Sequence, residues 1–265
     1  MSAPYARKRF GQHFLVQPGI AERIVDLAGL HGDETVLEIG PGRGALTAML
    51  AARCRRLLLI EIDRDLAAGL RARFADQPHI ELIEGDVLRL DLAARLGDAA
   101  PATVVANLPY NISTPALMHL LDTPELFSRL VLMLQREVAE RLGAGPGGKD
   151  YGGLSVVVQA VAEARVALRV PASAFAPVPK VESAVVVLTP RRPTPLSAER
   201  RRALRHVVRT AFARRRKQLV NVVAPLTDDP RGALAALGFD PRARPETLSP
   251  ADFIRLADAL VPDRS

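Results

Sequence analysis

Asn107, Leu108, Pro109 and Tyr110 close an apolar run, Thr103-Val104-Val105-Ala106, that reads as a buried strand. Ser113-Thr114-Pro115 looks like the start of a helix just beyond it. An amide, a rigid proline and an aromatic ring together at a strand end can grip a flat, amine-bearing base. The Asn107 side-chain oxygen and a nearby backbone carbonyl can both accept hydrogen bonds from an exocyclic NH2. The Tyr110 ring can stack on the base. Taken alone, an Asn-Leu-Pro segment at a strand end also reads as plain turn chemistry.

Three other strand ends carry chemistry. Glu38-Ile39-Gly40-Pro41-Gly42-Arg43-Gly44 follows the first strand and opens a helix, so that backbone can approach a ligand closely. Glu61 ends the second strand and is placed to accept from two ribose hydroxyls. Both features suit an NAD-binding domain equally well, and Glu61 alone could be a solvated strand-end carboxylate. Gly85-Asp86 ends the third strand, where a carboxylate can take a hydrogen bond from an adenine amine. The series Gly40, Glu61, Asp86, Asn107, in order on four strands, is more specific than any member. A dehydrogenase has no use for Asn-Leu-Pro-Tyr in the fourth place, whereas a methyltransferase acting on amino groups of bases does.

The elements that must position these residues follow a βαβα rhythm. Strands are expected over 35–40, 56–63, 80–86, 103–109, 129–135, 165–170 and 183–189. Amphipathic segments such as 45–53 and 64–74 lie between the early ones. This rhythm predicts an α/β fold, a mostly parallel sheet with helices on both faces, binding at the carboxyl ends of its strands. No helix separates the last two strands, so the sheet is expected to end antiparallel. Pro190-Arg191-Arg192-Pro193-Thr194-Pro195 reads as a linker. Beyond it only short helices are expected, at 197–213, 214–224, 231–237 and 250–261. The expected division is therefore 1–189, a cofactor-binding catalytic domain, and 190–265, a small all-helical basic domain.

Composition narrows the class. The chain has 265 residues, 48% of them hydrophobic, and a single cysteine, Cys54. That supports a sizeable core and excludes an intramolecular disulfide or a multi-cysteine metal site. The five histidines show no metal-ligand spacing, so no metal is expected. Gly153-Leu154-Ser155 is not a nucleophile elbow, because position 157 is Val. No run of 18 apolar residues and no signal peptide is visible, which points to a cytoplasmic setting. Charge is uneven: 16 Lys+Arg face 8 Asp+Glu after residue 189, against 20 and 21 before it. A basic tail on a near-neutral body suits a polyanion. Arg214, Arg215, Arg216 and Lys217, with Arg7 and Lys8 (beside Arg9), form a candidate RNA phosphate-binding set. The alternative is that the three arginines pack the helical domain against the sheet.

Six stretches together resemble the KsgA/RsmA ribosomal RNA adenine dimethyltransferases. They are Lys8–Leu15, Leu37–Gly42, Asn107–Pro115, Met133–Val138, Phe175–Val181 and Arg215–Lys217. The resemblance runs from residue 7 to about residue 221. It implies a Rossmann-like methyltransferase sheet with S-adenosylmethionine as methyl donor. It further implies dimethylation at N6 of two neighbouring adenines in a small-subunit (16S) rRNA hairpin during ribosome biogenesis, within a pre-assembled small subunit. By resemblance, His13 and Leu15 lie against the methionine end of the cofactor. Gly40 and Gly42 border its backbone, Glu61 meets its ribose and Asp86 its adenine, and Asn107 borders the methyl group. Asn107, Leu108 and Tyr110 form the target pocket, and Phe175 is a second aromatic closing on the flipped base; from spacing alone it could be a core Phe. A monomer without membrane attachment is expected. Two rivals stay open: a large-subunit rRNA adenine methyltransferase of the antibiotic-resistance type, and a non-catalytic ribosome-assembly or transcription factor that kept the fold.

Overall fold

The computed structural model describes residues 12–261. The chain divides into two compact units. One runs to Ala139 and resumes over Arg165–Pro190, and the other joins Glu140–Ala164 to the chain from Arg191 onward.

The strands of the first unit, in chain order, are β1 (Phe14–Leu15), β2 (Thr35–Ile39), β3 (Arg56–Glu61), β4 (Ile80–Glu84), β5 (Ala102–Asn107), β6 (Phe127–Gln135), β7 (Ala162–Val170), β8 (Phe175–Ala176) and β9 (Ser183–Pro190). Seven of them make one sheet in the order β4-β3-β2-β5-β6-β9-β7, and β1 pairs with β8 in a separate two-stranded ladder. β2 is parallel to both β3 and β5, and β9 closes antiparallel on β6, with Ser183 opposite Gln135. Strands covered on both faces read as unbroken apolar runs. β2, β3 and β5 obey this, with Val36, Leu37, Leu57, Leu58, Val104 and Val105 essentially inaccessible. Glu38 and Glu61 break the rule, at 2% and 4% exposure.

The helices around this sheet are α1 (Pro18–Ala28), α2 (Thr47–Ala51), α3 (Arg64–Arg73), α4 (Leu92–Leu96) and α5 (Ser113–Leu120), followed by α6 (Arg136–Leu142). α1 starts on a proline and ends on Gly29 in the left-handed conformation. It buries Ala21, Ile24, Val25 and Ala28, the i, i+3, i+4, i+7 stripe of an amphipathic helix. α3 is capped by Asp63, whose carboxylate accepts from the Asp65 and Leu66 amides, and it ends on Arg71 and Arg73 in line with the helix dipole.

The second unit holds α7 (Gly153–Gln159), α8 (Ala198–Ala213), α9 (Leu219–Val223), α10 (Pro230–Ala236) and α11 (Pro250–Leu260). α7 sits close on α8, since a Cβ on Gly153 would lie 3.1 Å from Val208. The Phe212 ring lies 6.3 Å from Tyr151, edge to face, and 5.7 Å from Phe253. These apolar contacts place Glu140–Ala164 with the C-terminal helices. The boundary expected at residue 190 marks one border of this grouping, but 140–164, read with residues 1–189, fall on its other side.

The helix expected over 214–224 begins only at Leu219. Arg214 to Lys217 instead form a turn closed by the Lys217 amide on the Arg214 carbonyl at 2.8 Å. Arg214 donates to the Asn221 carbonyl, and Arg215 pairs with Glu246 at 2.7 Å and reaches the Lys149 carbonyl.

Tyr151 is fully buried, its hydroxyl pushed up to about 12 by burial, and it donates to the Leu248 carbonyl at 2.8 Å. Tyr151→Phe should leave that carbonyl without its donor and cost about 1–3 kcal/mol. A fall of roughly 2–4 °C in melting temperature per kcal/mol is expected in a thermal melt. An unchanged melt would show that the bond contributes nothing.

Candidate functional site

The chain runs outward from β2 through β3 to β4, then crosses back to begin again at β5. The sheet's direction of growth therefore reverses between β2 and β5, and their carboxyl ends flank a crevice. Gly40 leaves β2 with φ +67, and a Cβ there would lie 3.7 Å from the Asn107 carbonyl at the end of β5. Gly42, at φ +59, would bring a Cβ to 3.2 Å of the Phe14 ring. Both conformations are open to glycine and strained for other residues. The turn thus keeps its backbone against the crevice, with room a side chain would fill.

Glu61, at the end of β3, takes the Gly42 amide on one oxygen and the Asp63 amide on the other, each at 3.0 Å. Burial raises its pKa, opposed by these two amides. Two backbone donors hold the carboxylate still while each oxygen keeps a lone pair for a ligand. Asp86, after β4, caps a short 3-10 turn by accepting from the Leu88 amide at 3.0 Å. Its second oxygen lies 3.8 Å from the Arg89 guanidinium.

At the end of β5 the Asn107 Nδ2 donates to the His13 carbonyl at 3.2 Å. A carbonyl only accepts, so this contact turns the amide with Oδ1 away from His13. The Leu108 amide donates to the Met133 carbonyl, which ties the strand end to β6. The Tyr110 ring stacks on the His13 ring at 5.6 Å, and its hydroxyl meets Ser183 Oγ at 2.7 Å. His13 Nδ1 donates to the Pro177 carbonyl at 2.7 Å. Phe175 is buried opposite Leu15 in the β1–β8 ladder.

His13, Leu15, Gly40, Gly42, Glu61, Asp86, Asn107, Leu108, Tyr110 and Phe175 all line one open cleft. Arg214, Arg215, Arg216 and Lys217 belong to the second unit, and Arg7 and Lys8 lie outside the described residues. Glu38 also lines the cleft, and sequence reasoning passed over it. The available signal was a carboxylate inside an otherwise apolar strand. Its Oε2 is buried without a hydrogen-bond partner. Burial pushes its pKa up to about 8, and the neighbouring Glu61 charge adds to this. Thr47 favours the anion, but its own hydroxyl is also buried and forms no aligned bond, so burial wins. A buried acceptor lacking a partner, in a cleft with glycine-lined backbone and a held carboxylate, fits a nucleoside-bearing cationic cofactor.

Sheet order, glycine turn, acidic strand ends and amide grip define a Rossmann-like methyltransferase. The family model for ribosomal RNA adenine dimethylase matches residues 4–261. A ribosomal RNA small subunit methyltransferase A from Synechococcus sp. (strain JA-3-3Ab) is 48% identical, covering 97% of this chain and 94% of the relative. A crystal structure of a dimethyladenosine transferase from Plasmodium falciparum superimposes with TM-score 0.77 at 27% identity, covering 92% of this chain and 96% of that one. The 23S rRNA methyltransferase ErmE follows at TM-score 0.71 and 28% identity, covering 93% and 99%. The chain belongs to the ribosomal RNA adenine dimethylase family, and its activity is S-adenosylmethionine-dependent dimethylation of rRNA adenine. Among the described residues no helix is long and apolar enough to cross a membrane.

Glu38 gives the site a pH signature. Its folded-state pKa lies above the unfolded value near 4.5, so the stability it contributes is present below that value and is lost as pH rises through about 8. Glu38→Gln, neutral at every pH, should flatten the decline in melting temperature between pH 5 and pH 8.5. Parallel curves for the two proteins would exclude a buried, protonated Glu38.

Proposed function

We propose that this protein methylates N6 of two adjacent adenines in a small-subunit rRNA hairpin, to N6,N6-dimethyladenosine, within a pre-assembled small subunit during ribosome biogenesis. It works in the cytoplasm as a monomer without membrane attachment. The observation that carries the chemistry is the Asn107 amide, turned by the His13 carbonyl so that Oδ1 is left to accept. The small-subunit assignment is supported by 48% identity, over nearly the full length, to a relative of that name.

Each cleft residue has a role in this reading. Glu61 accepts from the ribose, Asp86 accepts from the cofactor adenine, and Gly40 and Gly42 admit its backbone. His13 and Leu15 border its methionine end. Bound S-adenosylmethionine supplies a methyl group on an electron-poor sulfonium. The target adenine N6 lone pair is delocalised into its ring and is a poor nucleophile. Hydrogen bonds from its NH2 to Asn107 Oδ1 and the Leu108 carbonyl favour a pyramidal nitrogen with the lone pair aimed outward. No strong base is required, and positioning supplies much of the rate. The base must leave its stack, at a cost of roughly a few kcal/mol, and stacking on Tyr110 recovers about 1–3 kcal/mol. Phe175 closes the other side.

The test is methyl transfer from labelled donor to separated ribosomal particles. Label on small subunits only, lost in Asn107→Ala with cofactor affinity largely kept, is the expected result. Label on large subunits would favour the activity named for ErmE. Near-normal turnover in Asn107→Ala would remove the amine acceptor from the mechanism.

The second unit, with Arg7 and Lys8, binds RNA phosphates in this reading. Arg216 and Lys217 are exposed, and their side chains make no hydrogen bond or ion pair among the described residues. Arg214 and Arg215 have internal partners. Replacing Arg216 and Lys217 with Ala should reduce the slope of log affinity against log salt by roughly 0.7–0.9 per lost contact. The melting temperature should hold. Arg215→Ala should instead lower the melting temperature. A stable double variant with an unchanged slope would take both residues off the RNA.

A further inference from the structure

We propose that Ser183 is a positioning residue for methyl transfer, holding the Tyr110 ring at the angle the target base must meet. The proposal rests on Tyr110 being the stacking platform. Tyr110 sits in a turn after β5, and nothing in that turn aims its ring. The local bonds there are Ile112 amide to Pro109 carbonyl and Ser113 Oγ to Tyr110 carbonyl, which brace backbone alone. The ring is held at two points far away in sequence. His13 lies on its face, and Ser183 takes its hydroxyl at 2.7 Å.

Ser183 is suited to act as the fixed reference. It opens β9, it is fully buried, and it is in register with Gln135 at the end of β6. Its neighbours on the strand, Ala184, Val185 and Val186, are apolar and fully buried. A hydroxyl there costs desolvation that alanine would not, and its side-chain bond goes to Tyr110. A planar stacking surface transmits a rotation of its own ring directly to the base, and small errors in approach are expensive in rate. An anchor at the far end of the ring, from a rigid strand, removes that freedom without touching the base.

The bland alternative is that two buried hydroxyls satisfy each other and aim nothing. Single-turnover transfer to small-subunit particles, with cofactor affinity by calorimetry and a thermal melt on the same preparations, separates the two. Ser183→Ala and Tyr110→Phe should each slow transfer about tenfold, with cofactor affinity unchanged. The double variant should be no slower than either single one, because one interaction has been removed twice. Tyr110→Phe keeps the ring and carries the test if Ser183→Ala does not fold. Wild-type rates in Tyr110→Phe, or a double variant about a hundredfold down, would overturn the proposal. Tyr110→Ala distinguishes this from failure of the stacking platform. A slow Tyr110→Ala beside a fast Tyr110→Phe sinks the Ser183 role alone, whereas a fast Tyr110→Ala sinks the platform with it.

Discussion

The structure of the catalytic unit depends on one turn, the left-handed Gly40 beside the carbonyl of Asn107. Two parallel strands can end side by side with a ligand between them only where the sheet reverses its order of growth. Here that point lies between β2 and β5. The gap is shared by a glycine with φ +67 and an asparagine carbonyl, and a Cβ on the glycine would sit 3.7 Å from that carbonyl. In the proposed function the glycine turn serves the cofactor and the asparagine the target amine. On that proposal donor and acceptor of the methyl group would meet across this seam, with the backbone setting their separation.

The electrostatics follow from the same placement. Glu38, Glu61 and Asp86 come from three strand ends and line one cleft with apolar walls. Burial opposes charge on both Glu38 and Glu61, and the Glu61 charge adds to the penalty on Glu38. The two solutions differ. Glu61 is held by two backbone amides, which favour the anion in a fixed orientation. Glu38 has no such donors and is pushed up to about 8. A cationic ligand resolves the conflict, since an opposite charge nearby favours the ionised form. The cleft is thus built with unmet electrostatic demand, and its ligand's charge meets it.

The residues that sequence made visible are those whose chemistry is local. Strand ends at Glu61, Asp86 and Asn107 follow from apolar runs that stop, and the helix over 64–73 follows from its cap and its charges. Seven expected strands match seven observed ones to within a few residues. The β1–β8 ladder was not legible, because two-residue strands carry no period. Glu38 is masked in the sequence by the glycines beside it, and Ser183 is not legible because nothing in Glu182-Ser183-Ala184 points 73 residues back to Tyr110. The grouping of 140–164 with the late helices was hidden for a related reason. It is made by Tyr151, Gly153, Val208 and Phe253, whose meeting is a tertiary fact. At Arg214–Lys217 the expected helix gives way to a turn in which Arg214 and Arg215 find internal partners that sequence spacing does not show.

The small β1–β8 ladder has consequences out of proportion to its length. It brings Leu15 opposite Phe175, and the Val16 amide extends it onto the Ala174 carbonyl. That pairing sets His13 beside Pro177, and the His13 ring bonds the Pro177 carbonyl. The same residue then acts twice. Its backbone carbonyl turns the Asn107 amide, and its ring backs Tyr110. Both groups that would receive the base therefore depend on a segment that pairs with the edge of the cleft rather than with the main sheet. Elements with few long-range contacts open more readily than a sheet core. The ladder is not such an element, because Leu15 and Phe175 are buried in the same core cluster as Val105 and Met133. His13 is therefore held against Asn107 and Tyr110 by a pairing that is itself anchored in the core.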